Sequence, residues 1–451
     1  MLGVLSIVLT LVALMYFAYR GISVIILAPV LGMLAAVLSG EIPALHSLSN
    51  LFLPAAANYI KSYFPVFLTG AIFGKLMGVT GAAGVIAEFI SEKLGKERAI
   101  LAVVVATAIL TYGGVSLFVV VFAIYPIGAN LLREADIPKK FLPGAIALGG
   151  FTFTMTALPG SPQSLNTMPT VYLGTDIYAG PILGIVASSI MFFGGVWYLN
   201  QNVRKAKANG EGYGKNINEP VANKDAIRPG VILSIIPIGI IFVLNYVLTN
   251  WYFTRESVIE KYTKVGGGID GTWAVVVALT VAIIFILLTM KKFIDNVNAV
   301  VSQGAEESVL PIFNTAAQVG YGGVIKALAA FSTLKLALVS LAIPAVYKVG
   351  ISTTLLAGIV GSSSGGTAIA LEVMAKDFLA MGVDPGALHR IILVASGGLD
   401  SLPHCGAVIT LLGVCGLNHK QSYKYIAVVT MAIPIIALAV ITTLHLLTGL
   451  V

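Results

Sequence analysis

Charge is scarce in this chain. Asp, Glu, Lys and Arg together make up 10% of its 451 residues, where a soluble domain carries about 25%. So few charges do not cover a water-exposed surface of this size, which excludes an ordinary soluble enzyme and leaves lipid as the solvent for much of the surface. Cysteine is scarcer still. Cys405 and Cys415 stand alone in one apolar stretch, which excludes a disulfide framework and a cysteine zinc site and predicts two buried free thiols. The chain has no P-loop lysine motif and no HExxH, and the run GSPQS at 160–164 does not fit the G-x-S-x-G elbow. ATP hydrolysis and hydrolase chemistry are therefore not expected, nor is any cofactor. No basic stripe with interleaved aromatics occurs, so the net charge of +7 reads as a topology signal and not as nucleic-acid binding. The opening run, 1–18, lacks a basic leader and a small-residue cleavage site, and is expected to be a retained helix.

Hydrophobic residues, at 57%, recur in runs near the ~20 residues that span a bilayer core. Membrane helices are predicted near 2–19, 22–39, 63–80, 178–200, 229–249, 271–290, 307–327 and 424–449. Four further stretches are interrupted: 98–131 and 351–382 at their middles by Gly and Ser, and 141–175 and 386–417 by Gly and Pro. The longest hydrophilic segment, 201–228, holds Arg204, Lys205, Lys207, Lys215, Lys224 and Arg228 and is assigned to the cytoplasm by the positive-inside rule. Lys93, Lys96, Arg98, Arg133, Lys139, Lys140, Lys291, Lys292, Lys420 and Lys424 follow it if 98–131 is a re-entrant hairpin. Both termini then lie outside a bacterial inner membrane that the chain crosses many times. The stretch 250–270 reads as an external loop.

Landmarks recur in order. FPVF around Pro65 is echoed by LPIF around Pro311, Gly113-Gly114 by Gly365-Gly366, Gly149-Gly150 by Gly397-Gly398, and Leu158-Pro159 by Leu402-Pro403. The spacings are 246 (Pro65 to Pro311), 252 (Gly113 to Gly365), 248 (Gly149 to Gly397) and 244 (Pro159 to Pro403). The topology above starts one half outside and the other inside, so the expected fold is an all-α polytopic membrane protein of two inverted-topology repeats, each with a re-entrant helical hairpin and an unwound transmembrane helix. The first repeat is 1–200, with scaffold helices in 2–39, hairpin 98–131 and broken helix 141–175. The loop 201–228 separates it from the second, 229–451, with scaffold 229–290, hairpin 351–382 and broken helix 386–417.

Non-helical backbone at membrane depth survives only where protein or a water-filled cavity surrounds it. The four predicted breaks, 111–116, 158–164, 361–367 and 395–404, are therefore where a solute is expected to bind. Half-helix N-termini there favour an anion. The candidate ligands are Thr111, Gly113, Gly114 and Ser116 in the first tip and Pro159, Gly160, Ser161 and Gln163 in the first unwound stretch, flanked by Thr152, Thr154 and Thr156. The second tip offers Ser362, Ser363, Ser364, Gly365, Gly366 and Thr367, and the second unwound stretch Ser401 and His404. Runs of this kind also simply let helices pack closely.

Ionisable residues inside a membrane are functional candidates. Asp400 and His404, four apart across Pro403, are the candidates for the coupling ion, with His404 titrating near neutrality and Asp400 orienting it or taking the proton. Asp400 with the carbonyls of 397–401 is equally a candidate sodium site. Glu372, Lys75, Lys326 and Lys335 also lie in apolar runs; as long side chains they are expected to snorkel, or in the case of Glu372 to pair within its hairpin. With no Arg in any break, a multiply charged substrate is not expected. A channel or an intramembrane enzyme fits this pattern less well than a transporter does.

At these residues the sequence resembles the gluconate permease (GntP) family of proton symporters, within the larger ion-transporter superfamily. The likeness is carried by FGKLMGVTGAAGVIAEFISEKLGK from Phe73, TYGGVS, ADIP with LPG and SP at 158–162, GSSSGGTA, GVDP from Gly382 and SGGLDSLPHCGAVITLL from Ser396. It covers nearly the whole chain. The resemblance implies inverted repeats, re-entrant hairpins, a homodimer (with 2–39 and 41–60 as possible contacts) and proton-coupled uptake of small organic acids. Sugar-acid members carry a Glu in the first tip, where this chain has Gly113-Gly114, and a His-rich first break, where it reads TALPGSPQS. The second break looks more like the branch that includes hydroxybutyrate permeases. The substrate expected is a short hydroxy-monocarboxylate such as 3-hydroxybutyrate in place of gluconate.

Overall fold

A computed structural model describes residues 2–20, 22–115, 117–214, 228–264, 272–333, 342–403 and 405–451. All regular structure among them is helical. The helices are α1 (Leu2–Tyr19), α2 (Val24–Ser39), α3 (Ala44–Val79), α4 (Ala82–Leu94), α5 (Ala99–Tyr112), α6 (Leu117–Glu134), α7 (Leu142–Gly150), α8 (Phe153–Thr156), α9 (Ser164–Leu173) and α10 (Pro181–Ala208). The second part of the chain adds α11 (Val231–Tyr252), α12 (Glu256–Lys264), α13 (Thr272–Thr289), α14 (Val297–Ala327), α15 (Ala345–Val360), α16 (Ser363–Ala380), α17 (Pro385–Ser396), α18 (Gly406–Val414) and α19 (His419–Thr448).

Five of these, α3, α10, α11, α13 and α19, are long and apolar enough to cross a bilayer. Their outer faces carry large bare side chains, among them Trp197, Ile232, Leu288 and Leu447, the last three-quarters exposed at 77%. Apolar surface of that kind is stable in hydrocarbon and not in water. The interior is the opposite case. Every residue of α7 is buried, and so is every residue of α17 from Ala387 onward. The all-α, polytopic membrane fold expected from the sequence is the fold observed, and both cysteines are buried and free.

Several boundaries move, each for a local reason. The helix predicted at 63–80 begins at Ala44 instead. Pro54 lacks the N–H that would continue an α-helix, and a π-helical turn over Ser47–Phe52 carries the chain into it without a stop. The same device, a π turn at Val428–Ala432 before Pro434, lies inside α19. The helix predicted at 307–327 begins ten residues earlier, where the Asn296 side chain accepts the Ala299 N–H at 3.0 Å. The stretch predicted as an external loop at 250–270 contains α12, a charged, strongly amphipathic helix; 265–271 lie outside the described residues.

The ends of the helices sort by charge. Lys140 pairs with Glu211, Ser422 donates to the Lys140 carbonyl at 2.7 Å, and Lys207 to that of Ala135 at 2.8 Å. Three segments assigned to one side by their basic residues therefore meet at one end of the molecule. Of 201–228, residues 215–227 lie outside the described part.

The pair that organises the centre is α3 with α14. Gly304 faces Ile72, Gly320 faces Phe52, and Gly323 faces Ala55, so the two helices run antiparallel. That register sets the landmark prolines Pro65 and Pro311 opposite each other. A Cβ at Gly304 would come within 2.9 Å of the Ile72 backbone; glycine there lets the helices touch.

Candidate functional site

The first break is wired to the first tip. Between α5 and α6 the chain turns through Gly113 and Gly114, the latter at a φ of 88° that favours glycine. The Gln163 side-chain amide donates to the carbonyls of Thr111 at 2.6 Å and Val115 at 3.2 Å, satisfying acceptors that the end of α5 leaves open. The Tyr112 hydroxyl donates to the Pro159 carbonyl at 2.5 Å. Thr111 Oγ1 and Ser161 Oγ are buried and have no partner among the described residues.

The second tip is a helix start. Ser362 caps α16, its hydroxyl accepting the Gly365 N–H at 3.3 Å and lying 3.1 Å from the Ser364 hydroxyl. Gly365, Gly366 and Thr367 are buried; a Cβ on Gly366 would stand 2.4 Å from the Ala357 Cα, so Gly366 serves close packing of α15 on α16. Thr367 Oγ1 also lacks a partner among the described residues. Behind the tip, in the second break, Ser401 donates to Asp400 at 2.8 Å, and Ser363 lies within hydrogen-bonding reach of the same carboxyl.

A cavity of about 850 Å³ brings part of the predicted set together. Its walls include Gly114 and Leu117 from the first tip, Pro162, Gln163, Ser164 and Leu165 from the first break, and Ser363 and Ser364 from the second tip. Leu117, Ser164 and Ser363 are the first residues of α6, α9 and α16. Three helix N-termini thus contribute to one cavity, each a donor-rich, partially positive end suited to an anion. The remaining wall is Met155 of α8 together with α3 and α14: Val66, Phe67, Gly70, Ala71 and Lys75 on the one, Gln303, Glu306, Glu307, Ser308, Leu310 and Pro311 on the other.

Not every predicted residue is there. Gly113 packs on α11, where a Cβ would lie 2.9 Å from Ile238. Gly160 is fixed against Tyr178, and Pro159 and Ser161 are not part of the lining. Asp400, only 8% exposed, and Ser401 sit behind Ser363. Ser116, His404 and Lys335 lie outside the described residues. The expectation that Glu372 pairs within its own hairpin is corrected: it pairs with Lys326 on α14 at 3.6 Å and accepts from Tyr172 on α9 at 3.0 Å. Both partners come from helices packed against the hairpin, because Glu372 is on the outer face of α16.

The sequence reading missed two groups. One is the Lys75–Glu307 ion pair at 2.6 Å in the cavity wall; the 3.6-residue spacing of Gln303, Glu306 and Glu307 on one face of an otherwise apolar helix was the available signal. The other is a fully buried network on α17. Arg390 donates to the carbonyl of Ala179 at 2.6 and 3.1 Å and to Asn166 Oδ1 at 3.2 Å, and His389 Nδ1 lies 2.8 Å from the Thr175 hydroxyl. A His-Arg pair inside the run GALHRIIL announces it. Among the described residues no three His, Cys, Asp or Glu side chains stand close enough to hold a metal.

The packing around the two breaks repeats in part. Gly150 lies against Thr107 of α5 and Gly398 against Thr354 of α15, an added Cβ standing 3.1 and 3.0 Å from the threonine Cγ2; Gly149 and Gly397 differ, the first lying against Val104 and Thr107 of α5 and the second against Thr156 of α8. Comparisons with known proteins agree with a transporter. The chain is 42% identical over 468 aligned residues to the uncharacterized transporter YxjC of Bacillus subtilis (strain 168), covering 99% of each protein. It is 30% identical over 142 residues, 32% of each chain, to an uncharacterized transporter of Haemophilus influenzae. In fold it is similar to the YdaH transporter of Alcanivorax borkumensis, whose crystal structure has an unusual topology, with a TM-score of 0.57 at 14% identity over 87% of this chain and 88% of that one. The model of the GntP family permeases matches residues 2–447, and the chain belongs to that family: it is a multi-pass membrane permease.

Proposed function

We propose that this permease is a proton-coupled symporter that imports a short hydroxy-monocarboxylate such as 3-hydroxybutyrate by alternating access. The observation that carries the reading is the cavity, in which the N-termini of α6, α9 and α16 meet an apolar strip of α3. Helix ends and the hydroxyls of Ser164, Ser363 and Ser364 suit a carboxylate and one hydroxyl group, while Val66, Phe67 and Ala71 suit a short hydrocarbon and offer nothing to a polyol chain.

The charges favour symport. Among the described residues the lining holds one cation, Lys75, and two carboxylates, Glu306 and Glu307. An entering anion is opposed by that net negative charge unless a cation comes with it. Asp400, held by Ser401 and in reach of Ser363 at the substrate side, is the candidate to take the coupling proton; its neutralisation then cheapens closing the loaded site. The antiparallel α3–α14 pair, with Pro65 opposite Pro311, and the recurring glycine contacts support two inverted repeats related by an axis through that pair, the arrangement in which one bundle rocks against another around a fixed site.

The test is uptake of labelled 3-hydroxybutyrate into proteoliposomes under an inward proton gradient without sodium. Accumulation that a protonophore collapses and excess gluconate does not compete away supports the reading. Uptake that begins only when sodium is added transfers the coupling to sodium at 397–401, and accumulation of gluconate alone overturns the substrate.

A further inference from the structure

We propose that Lys75 is the residue that grips the substrate carboxylate, and that Glu307 is a built-in competitor that holds its place in the empty cavity. This rests on the carboxylate reading above and names the group that would execute it.

Other cations near the breaks are already committed. Arg390 spends its donors on the carbonyls of Ile177 and Ala179 and on Asn166, and Lys326 on Glu372. Lys75 is the cation among the described residues of the cavity wall. It sits opposite Gly304 on α14, whose missing side chain leaves room: a Cβ there would stand 3.3 Å from the Lys75 Cβ.

Its partner is the looser member of the pair. The Glu307 side chain is 48% exposed and that of Lys75 22%. The ammonium is held against the helix wall, while the carboxylate is the more open of the two and lines the cavity. A substrate carboxylate entering the cavity can therefore take over the ammonium as Glu307 turns aside, one ion pair replacing another. One turn before Lys75 on α3 lie Gly70 and Ala71, small and apolar, where the carbon chain attached to that carboxylate would rest. Discrimination between a monocarboxylate and a neutral alcohol of the same skeleton then resides at Lys75.

This arrangement makes the two partners behave oppositely, which a purely structural ion pair does not. Purified full-length Lys75→Gln, Glu307→Gln and wild-type protein are compared in calorimetric titrations with 3-hydroxybutyrate and with 1,3-butanediol as the uncharged control, and in proteoliposome uptake. Lys75→Gln is expected to weaken 3-hydroxybutyrate binding by about tenfold or more, since it removes a charge-assisted hydrogen bond, and to leave the diol unchanged. Glu307→Gln is expected to tighten 3-hydroxybutyrate binding severalfold. Should Lys75→Gln fail to fold, the Glu307→Gln result alone decides. Weaker binding in both variants makes the pair a strut between α3 and α14 and overturns the proposal, as does unchanged binding in both. Wild-type binding with opposite shifts but no uptake upholds Lys75 and defeats the transport reading instead; absence of any wild-type binding defeats both.

Discussion

The two breaks are built from matching parts and hold different chemistry. Around the first, Gln163 and Tyr112 tie an uncharged unwound stretch to the carbonyls of its neighbours. Around the second, Asp400 and Ser401 are bonded to each other and within reach of Ser363. The packing beneath is shared at one point, a glycine against a threonine methyl: Gly150 on Thr107 and Gly398 on Thr354. Similar packing thus lies beneath uncharged chemistry in one break and an ionisable group in the other. In the proposed mechanism the first break positions and the second titrates.

The comparison breaks most sharply at Asp400. Asp400→Asn removes the titrating group and keeps the side-chain volume, so labelled 3-hydroxybutyrate is expected to equilibrate across proteoliposomes without accumulating, while solute exchange persists. Retained accumulation against a gradient would move the coupling ion elsewhere. Gln163→Met is next. It leaves the Thr111 and Val115 carbonyls without their donor, a loss of about 1–3 kcal/mol per buried unsatisfied group. The first tip loosens, and the initial uptake rate is expected to fall about tenfold without loss of proton dependence. If proton dependence disappeared as well, the division of labour between the breaks would be false. Ser364→Ala removes one cavity hydroxyl and should raise the apparent KM a few-fold, in keeping with about 0.5–1.5 kcal/mol for a neutral hydrogen bond.

Much of this was legible in the chain itself, and for identifiable reasons. Long apolar runs fix membrane helices because hydrocarbon tolerates nothing else. Gly113-Gly114 and Leu158-Pro159 fall where helices end, since Gly114 takes a positive φ and proline lacks the N–H that a helix uses, whereas Gly365-Gly366, placed in a predicted break, continue α16. Ser363, Ser364, Gly114 and Gln163 were found on that basis, and they line the cavity. What composition and local pattern do not encode is which helix is opposite which. Lys75 and Glu307 are far apart in sequence, and each by itself looks like a side chain snorkelling from a helix end; only the antiparallel register of α3 and α14 joins them. Glu372 was assigned to the wrong partner for the same reason. Conversely, Gly113, Gly160 and Gly366 lie in the predicted breaks but act as packing surfaces, a distinction that depends on what stands across from each glycine.

That last distinction is read in stability and not in transport, and it compares the rigidity of the contacts beneath the two breaks. A methyl group added at Gly149 would come within 2.4 Å of the Val104 carbonyl oxygen and 2.8 Å of the Thr107 Cβ, both held by helix α5. At Gly398 the nearest atom is the Thr354 Cγ2 at 3.0 Å, followed by the Ala395 carbonyl oxygen at 3.2 Å, and a threonine methyl is able to move by a few tenths of an ångström. Overpacking of a close-fitted interior costs about 1–3 kcal/mol. Gly149→Ala is therefore expected near or above that range and Gly398→Ala below it, with a clear fall in Tm for the first in detergent thermal-shift measurements and a slight one for the second. Equal falls would mean that the two contacts are equally rigid, and that the second break has no more freedom to rearrange around Asp400 than the first has around Gln163.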